Sequence, residues 1–155
     1  MRAQDLVAEL TQSASDAMVR NFKAMPEDKQ DWKPAAGTRS AKNQLWEIGM
    51  VNERFAQFLT GTSTEPFSFE TLQALWTNEC RHTSSELIEK LEAATAHLCE
   101  AIRSLPDERL EEMIQMNSEA QLPTKMLMWM GLRNAWYHVG QVNYIQSLYG
   151  DSEMH

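Results

Sequence analysis

Two residues near the end of this 155-residue chain, and one a third of the way along it, have the types and spacing for a shared polar task. His138 and Asn134 stand one helical turn apart, about 40° around the axis, so both side chains reach one point between helices. That i, i+4 arrangement is the geometry of helical metal ligands. His138 also sits in the middle of the apolar stripe Leu127, Gly131, Ala135, His138, Val142, Ile145 and Tyr149. A histidine there is either a hydrogen-bonded core residue or a ligand. Glu47 lies at the margin of the apolar face of an earlier helix, angularly close to Val51 and Phe58. A carboxylate turned inward there needs a partner, either a metal or a histidine that it keeps protonated.

The other chemistry-bearing residues do not gather around these three. His82 and His97 read onto one long third helix, about 22 Å apart along its axis, too far to share an ion. Cys80 and Cys99 fall on the same predicted helix, roughly 28 Å apart, so they cannot bridge each other and read as packing residues. His155 is the last residue, no motif sets a Ser, Cys or Asp nucleophile beside His138, and there is no glycine-rich phosphate loop. Trp46, Met50, Trp136 and Tyr137 either floor a small-molecule pocket or serve as core and interface.

The elements that must position these groups are helical. Leu6, Val7, Leu10, Ala14, Met18, Val19 and Phe22 repeat at the spacing of one buried stripe, which predicts a first helix over residues 4 to 24, ended by Pro26. Ser40 is a good N-cap for a second helix over 41 to 59, with Gly61-Thr62-Ser63-Thr64-Glu65-Pro66 closing it. After Ser68, helical spacing from Leu72, Leu75, Trp76 and Cys80 through Leu87 and Leu91 to Leu98 and Ile102 predicts one long or gently broken third helix, terminated by Pro106. A short helix over Asp107 to Met113 and a polar segment follow. Thr124 is then placed to cap a last helix, Lys125 to Tyr149, stopped by Gly150. Four amphipathic helices without a strand pattern predict an all-α four-helix bundle. The last helix carries a second stripe, Trp129, Leu132, Trp136 and Val139, that either another part of the chain or a second copy must cover, making a homodimer the expected assembly.

With 14 Lys and Arg against 22 Asp and Glu the chain has a formal charge of -8, which argues against tracking a phosphate backbone, so no nucleic-acid partner is expected. The sequence offers no uninterrupted apolar run for a signal peptide or membrane span. A single domain over residues 1 to 155, cytoplasmic and off the membrane, is the expectation.

The run Asp31-Trp32-Lys33-Pro34-Ala35-Ala36-Gly37-Thr38-Arg39-Ser40, the helix after it, and the closing Tyr137-His138-Val139-Gly140-Gln141-Val142-Asn143-Tyr144-Ile145 with Gly150 resemble the DinB family of the DinB/YfiT-like metalloenzyme superfamily. The likeness covers nearly the whole chain. It implies a bundle of four helices, usually dimeric, with a divalent zinc, nickel or iron held by three histidines, one on the second helix and two spaced i, i+4 on the fourth. Carried over, those ligand positions are Glu47, Asn134 and His138, and only His138 keeps the family residue. Glu47 is a competent oxygen ligand, whereas Asn134 offers a neutral carbonyl oxygen, a poor donor for a borderline metal. Such a set either binds metal weakly with waters, or has become a hydrogen bond between Glu47 and His138 with Asn134 as third polar partner.

Two functions follow. Members of the superfamily that this chain resembles use the metal to activate a small thiol or a water, which implies a thiol S-transferase or a hydrolase with its substrate between the second and fourth helices. The alternative is a metal-free small-molecule-binding or stress-associated bundle without catalytic activity. A DNA-damage role finds no support in an acidic chain without a basic stripe.

Overall fold

In the computed structural model, the described residues are 1–63, 66, 68, 70, 73, 74 and 80–155. Among them the chain forms helix α1 (Ala3–Ala24), the one-turn helix α2 (Glu27–Gln30), and the long helices α3 (Ala41–Thr60), α4 (Ser84–Arg103) and α5 (Thr124–Leu148). Between α4 and α5 come a 3-10 turn, Asp107–Glu111, and an antiparallel hairpin of β1 (Met113–Gln115) and β2 (Gln121–Pro123), with Ile114 opposite Leu122. The four long helices pack side by side: α3 lies along α4 and α5, and α1 lies along the same two. No helix among the described residues is long and apolar enough to cross a membrane.

The interior holds two apolar clusters. One gathers Met18, Phe22, Leu45, Ile48, Leu91 and Val142; the other gathers Ala8, Phe55, Leu59, Leu98, Ile102 and Leu127. The first takes the C-terminal halves of α1 and α5 and the N-terminal halves of α3 and α4, so α1 and α5 run one way and α3 and α4 the other. Where the clusters meet, a polar rung crosses the core: Ser15 Oγ lies 2.9 Å from Thr95 Oγ1, and Asn52 Nδ2 donates to the same oxygen at 3.1 Å. Gly131 faces this rung, and a Cβ there would come within 2.5 Å of Leu98 Cδ2 and 3.2 Å of Asn52 Oδ1.

Several boundaries depart from the sequence expectation. The third helix does not run unbroken from residue 68, since residues 80–83 are not helical. It starts at Ser84, where Thr83 Oγ1 accepts from the Glu86 backbone N–H and the Glu86 carboxylate accepts from that of Thr83 at 2.7 Å. This reciprocal cap satisfies two orphan donors and outweighs the continuing apolar spacing. Cys80 and His82 thus precede the helix that carries Cys99 and His97. Leu72, Leu75, Trp76, Thr64 and Glu65 lie outside the described residues.

Thr124 does not cap the last helix. It is the first residue of α5, and its hydroxyl donates to the Glu112 carbonyl at 3.0 Å, tying the helix to the hairpin base. The short helix expected over Asp107 to Met113 is a 3-10 turn that leads into β1.

On α1 the buried face is shifted. Leu6 and Leu10 are exposed, and Gln4, Ala8, Thr11, Ser15, Met18 and Phe22 face inward. The polar members of that face are satisfied, since Gln4 donates to the Leu105 carbonyl at 3.1 Å and the Thr11 hydroxyl to the Val7 carbonyl at 2.7 Å. The other boundaries agree with the sequence to within a residue or two, with Gly61 (φ 73°) and Gly150 (φ 93°) in the left-handed region that ends a helix.

Candidate functional site

Ser40 sets the site. Its hydroxyl accepts from the Asn43 backbone N–H at 3.2 Å, fixing the first turn of α3 so that Gln44 and Glu47, three residues apart, share one inward edge. His138, fully buried on α5, faces both. Its Nδ1 is 3.2 Å from Gln44 Oε1, and its Nε2 is 3.2 Å from Glu47 Oε1. The second Glu47 oxygen takes a hydrogen bond from the guanidinium of Arg39, the residue just before the cap. Arg39 also donates to Gln141 Oε1 at 3.3 Å, one turn beyond His138 on α5. One arginine therefore bridges α3 and α5 through a carboxylate and an amide.

As placed, both His138 ring nitrogens face acceptors; with the Gln44 amide reversed, Nδ1 accepts instead. In either arrangement Nε2–H donates to Glu47. Asn134 lies one turn before His138 as the spacing requires, and its Nδ2 is shut off from solvent without an acceptor among the described residues.

The structure thus brings Glu47 and His138 into contact and puts Asn134 and Glu47 in the lining of one cavity, on different helices. That cavity, about 250 Å³, lies between α3 and α5. A second, about 480 Å³, opens on the Arg39, Gln44 and Gln141 side. Tyr137 borders both. The four residues read as a pocket floor do not meet in one place: Trp46 and Met50 line a groove of about 410 Å³ between α3 and α4, Tyr137 faces the other two cavities, and Trp136 lines none of the three. Trp129 and Trp136 are exposed on this chain, at 38% and 48%, while Val139, expected beside them, is buried in the core.

The remaining candidates are accounted for by structure. His97 Nδ1 lies 2.9 Å from Glu53 Oε2, and the His82 ring stands edge-on to Trp46 at 5.4 Å between centroids. Burial pushes the Cys80 and Cys99 thiols above their ordinary range, which keeps them protonated and unreactive.

The family model described as the DinB superfamily matches residues 9–142. The chain belongs to the DinB superfamily. Solved structures similar to this DinB-superfamily chain include a DinB-like protein of Bacillus subtilis, with 15% identity, a TM-score of 0.71 and coverage of 97% of this chain and 96% of that one. A conserved protein of Enterococcus faecalis has 17% identity, a TM-score of 0.74 and coverage of 96% and 97%. A variant of a mycothiol-dependent maleylpyruvate isomerase has 13% identity and a TM-score of 0.73, covering 91% of this chain and 61% of that one. No protein of curated function matches. These likenesses establish the shared fold.

The resemblance placed a divalent ion at Glu47, Asn134 and His138, and the side chains present do not fit one. A zinc, nickel or iron ion needs the His138 Nε2 lone pair and a free carboxylate oxygen. Here Nε2 lies against one Glu47 oxygen, and the other Glu47 oxygen holds the Arg39 guanidinium. Among the described residues, no three His, Cys, Asp or Glu side chains group to hold a metal. Arg39, Gln44 and Gln141 are the members of the cluster that sequence reasoning missed. Gln44 was accessible as the i, i+3 companion of Glu47 on one face. Arg39 stands outside the helix, where periodicity carries no information.

Proposed function

We propose that this DinB-superfamily bundle is a metal-independent small-molecule-binding protein, in which an internal ion network stands where its relatives' fold would hold a metal. The observation that carries this reading is the double engagement of Glu47, one oxygen by Arg39 and the other by His138. An imidazole and a guanidinium satisfy the buried carboxylate without an ion, and Gln44 and Gln141 complete their hydrogen bonding. The two flanking cavities then serve as the ligand space.

The competing reading is the metal-dependent thiol transferase or hydrolase, for which the name of the mycothiol-dependent isomerase is the support. It requires Arg39 to leave Glu47 and His138 to turn a lone pair outward. Elemental analysis of protein purified without a histidine tag or chelating resin, beside the His138→Ala variant, separates the two. The expected result is no bound transition metal, even after incubation with excess ions. Near-stoichiometric zinc, nickel or iron that disappears in His138→Ala overturns the proposal.

A further inference from the structure

The 250 Å³ cavity beside the cluster is lined by two residues, Asn134 and Arg133, whose donors are not engaged among the described residues. Asn134 Nδ2 is closed off from solvent and has no acceptor among the described residues. An amide N–H left in that state costs free energy until an acceptor arrives. Arg133, the residue before it, lines the same cavity, and none of the ion pairs or hydrogen bonds among the described residues engages its guanidinium. The helix that bears both has no acidic residue from Thr124 to Leu148 to neutralise it. Across the cavity, Glu47 is the acidic group of the lining, and its charge is already met by Arg39 and His138. An incoming anion therefore meets an unpaired cation and a waiting N–H rather than a free carboxylate. The apolar part of the lining is Val51 and Phe55 from α3 and Met130 from α5, and Tyr137 completes it.

We propose that this cavity binds a small monocarboxylate, its two oxygens held by the Arg133 guanidinium and Asn134 Nδ2 and its hydrocarbon part packed on Val51, Phe55 and Met130. A guanidinium presents parallel donors that match a carboxylate, and a neighbouring amide N–H supplies the further bond that orients it. The volume is smaller than the roughly 300–1,000 Å³ of drug-sized pockets, which favours a short aliphatic chain over a fused-ring body. The assignment rests on the metal-independent reading, since it is the internal neutralisation of Glu47 that lets an anion approach.

The test is calorimetric titration of the full chain, in chelator-treated buffer, with butyrate, hexanoate and octanoate as probes and hexanol and hexylamine as controls. At least one of the acids is expected to bind, with hexanol and hexylamine weaker by about tenfold or more. Arg133→Gln and Asn134→Asp are each expected to weaken the acid by about tenfold or more, the first by removing the cation and the second by placing a carboxylate against the ligand. Arg133 is exposed, so its variant should keep the wild-type circular dichroism and urea midpoint, which separates lost binding from lost folding. Absence of binding by all three acids at millimolar concentration, or equal binding by wild type and Arg133→Gln, overturns the carboxylate site while leaving the metal-free network to the elemental analysis. Binding that appears only with added zinc and ignores Arg133→Gln overturns both.

Discussion

Removing the guanidinium from Glu47 is the sharpest perturbation of the cluster. Arg39→Met keeps most of the side-chain length and deletes the charge. The Glu47 side chain is 8% exposed and that of Arg39 17%, so the carboxylate left behind is nearly as buried as before while its cation is gone. Breaking a buried ion pair from one side costs about 3–5 kcal/mol. Water reaches this one from the Arg39 side, and His138 still donates to the other oxygen, which lowers the expected loss to about 2–3 kcal/mol.

Glu47→Gln keeps an acceptor for His138 and strands Arg39, which is closer to solvent and still has Gln141, for a loss of about 1–2 kcal/mol. The double variant removes both charges and is expected to lie within about 1 kcal/mol of wild type. Urea unfolding of the four proteins, followed by tryptophan fluorescence, closes the cycle and should return a coupling of about 2–5 kcal/mol. Additivity to within about 0.5 kcal/mol would refute the claim that Arg39 is what satisfies Glu47.

Gly131→Ala and Gly140→Ala make a matched pair on one helix. Each gains about 1 kcal/mol of helix propensity, but a Cβ at 131 meets fully buried Leu98 at 2.5 Å while one at 140 meets nothing within 4 Å. Overpacking costs about 1–3 kcal/mol, so Gly140→Ala should be the more stable by that amount in thermal or urea unfolding, and equal stability would contradict the close approach. Hydrogen bonds from the Thr83 backbone and hydroxyl hold the Glu86 carboxyl below its ordinary range. A carboxyl depressed in the folded state stabilises above its unfolded pKa and loses that contribution as pH falls through the folded one. Stability should therefore drop with acidification below the usual carboxylate range. Asp5 and Asp151 are depressed too and contribute in the same window, so the measurement is the wild type minus Glu86→Gln difference, and parallel pH curves would refute the cap. Exposed Trp129 and Trp136 are proposed as a subunit seam, for which light scattering should give twice the 17.8 kDa chain mass; a monomer at micromolar concentration rules the seam out.

Long amphipathic stripes and strong stop residues made α3 and α5 legible in the sequence. So was the meeting of Glu47 with His138, because a buried carboxylate and a buried histidine each demand a partner. The start of α4 was written in Thr83 and Glu86, yet apolar residues continuing at helical spacing on both sides masked the cap. The hairpin was out of reach, since three-residue strands are too short to display an alternating pattern. The inward turn of Gln4 and Ser15 in preference to Leu6 and Leu10 depends on hydrogen-bond partners 101 and 80 residues away, which local patterning does not carry.

The parallel pairing of α1 with α5 bears on the order in which the molecule assembles. A wall built from the first and last helices has contacts that span most of the chain, and such contacts carry the largest loop-closure cost. During synthesis α1, α3 and α4 emerge first, and the Arg39–Glu47 pair can form within them. His138 and Gln141 arrive only with α5, so the cluster is completed at the final docking step. A newly made chain closes the cavity between α3 and α5 only at that step, and until then Glu47 has Arg39 and water for partners in place of His138.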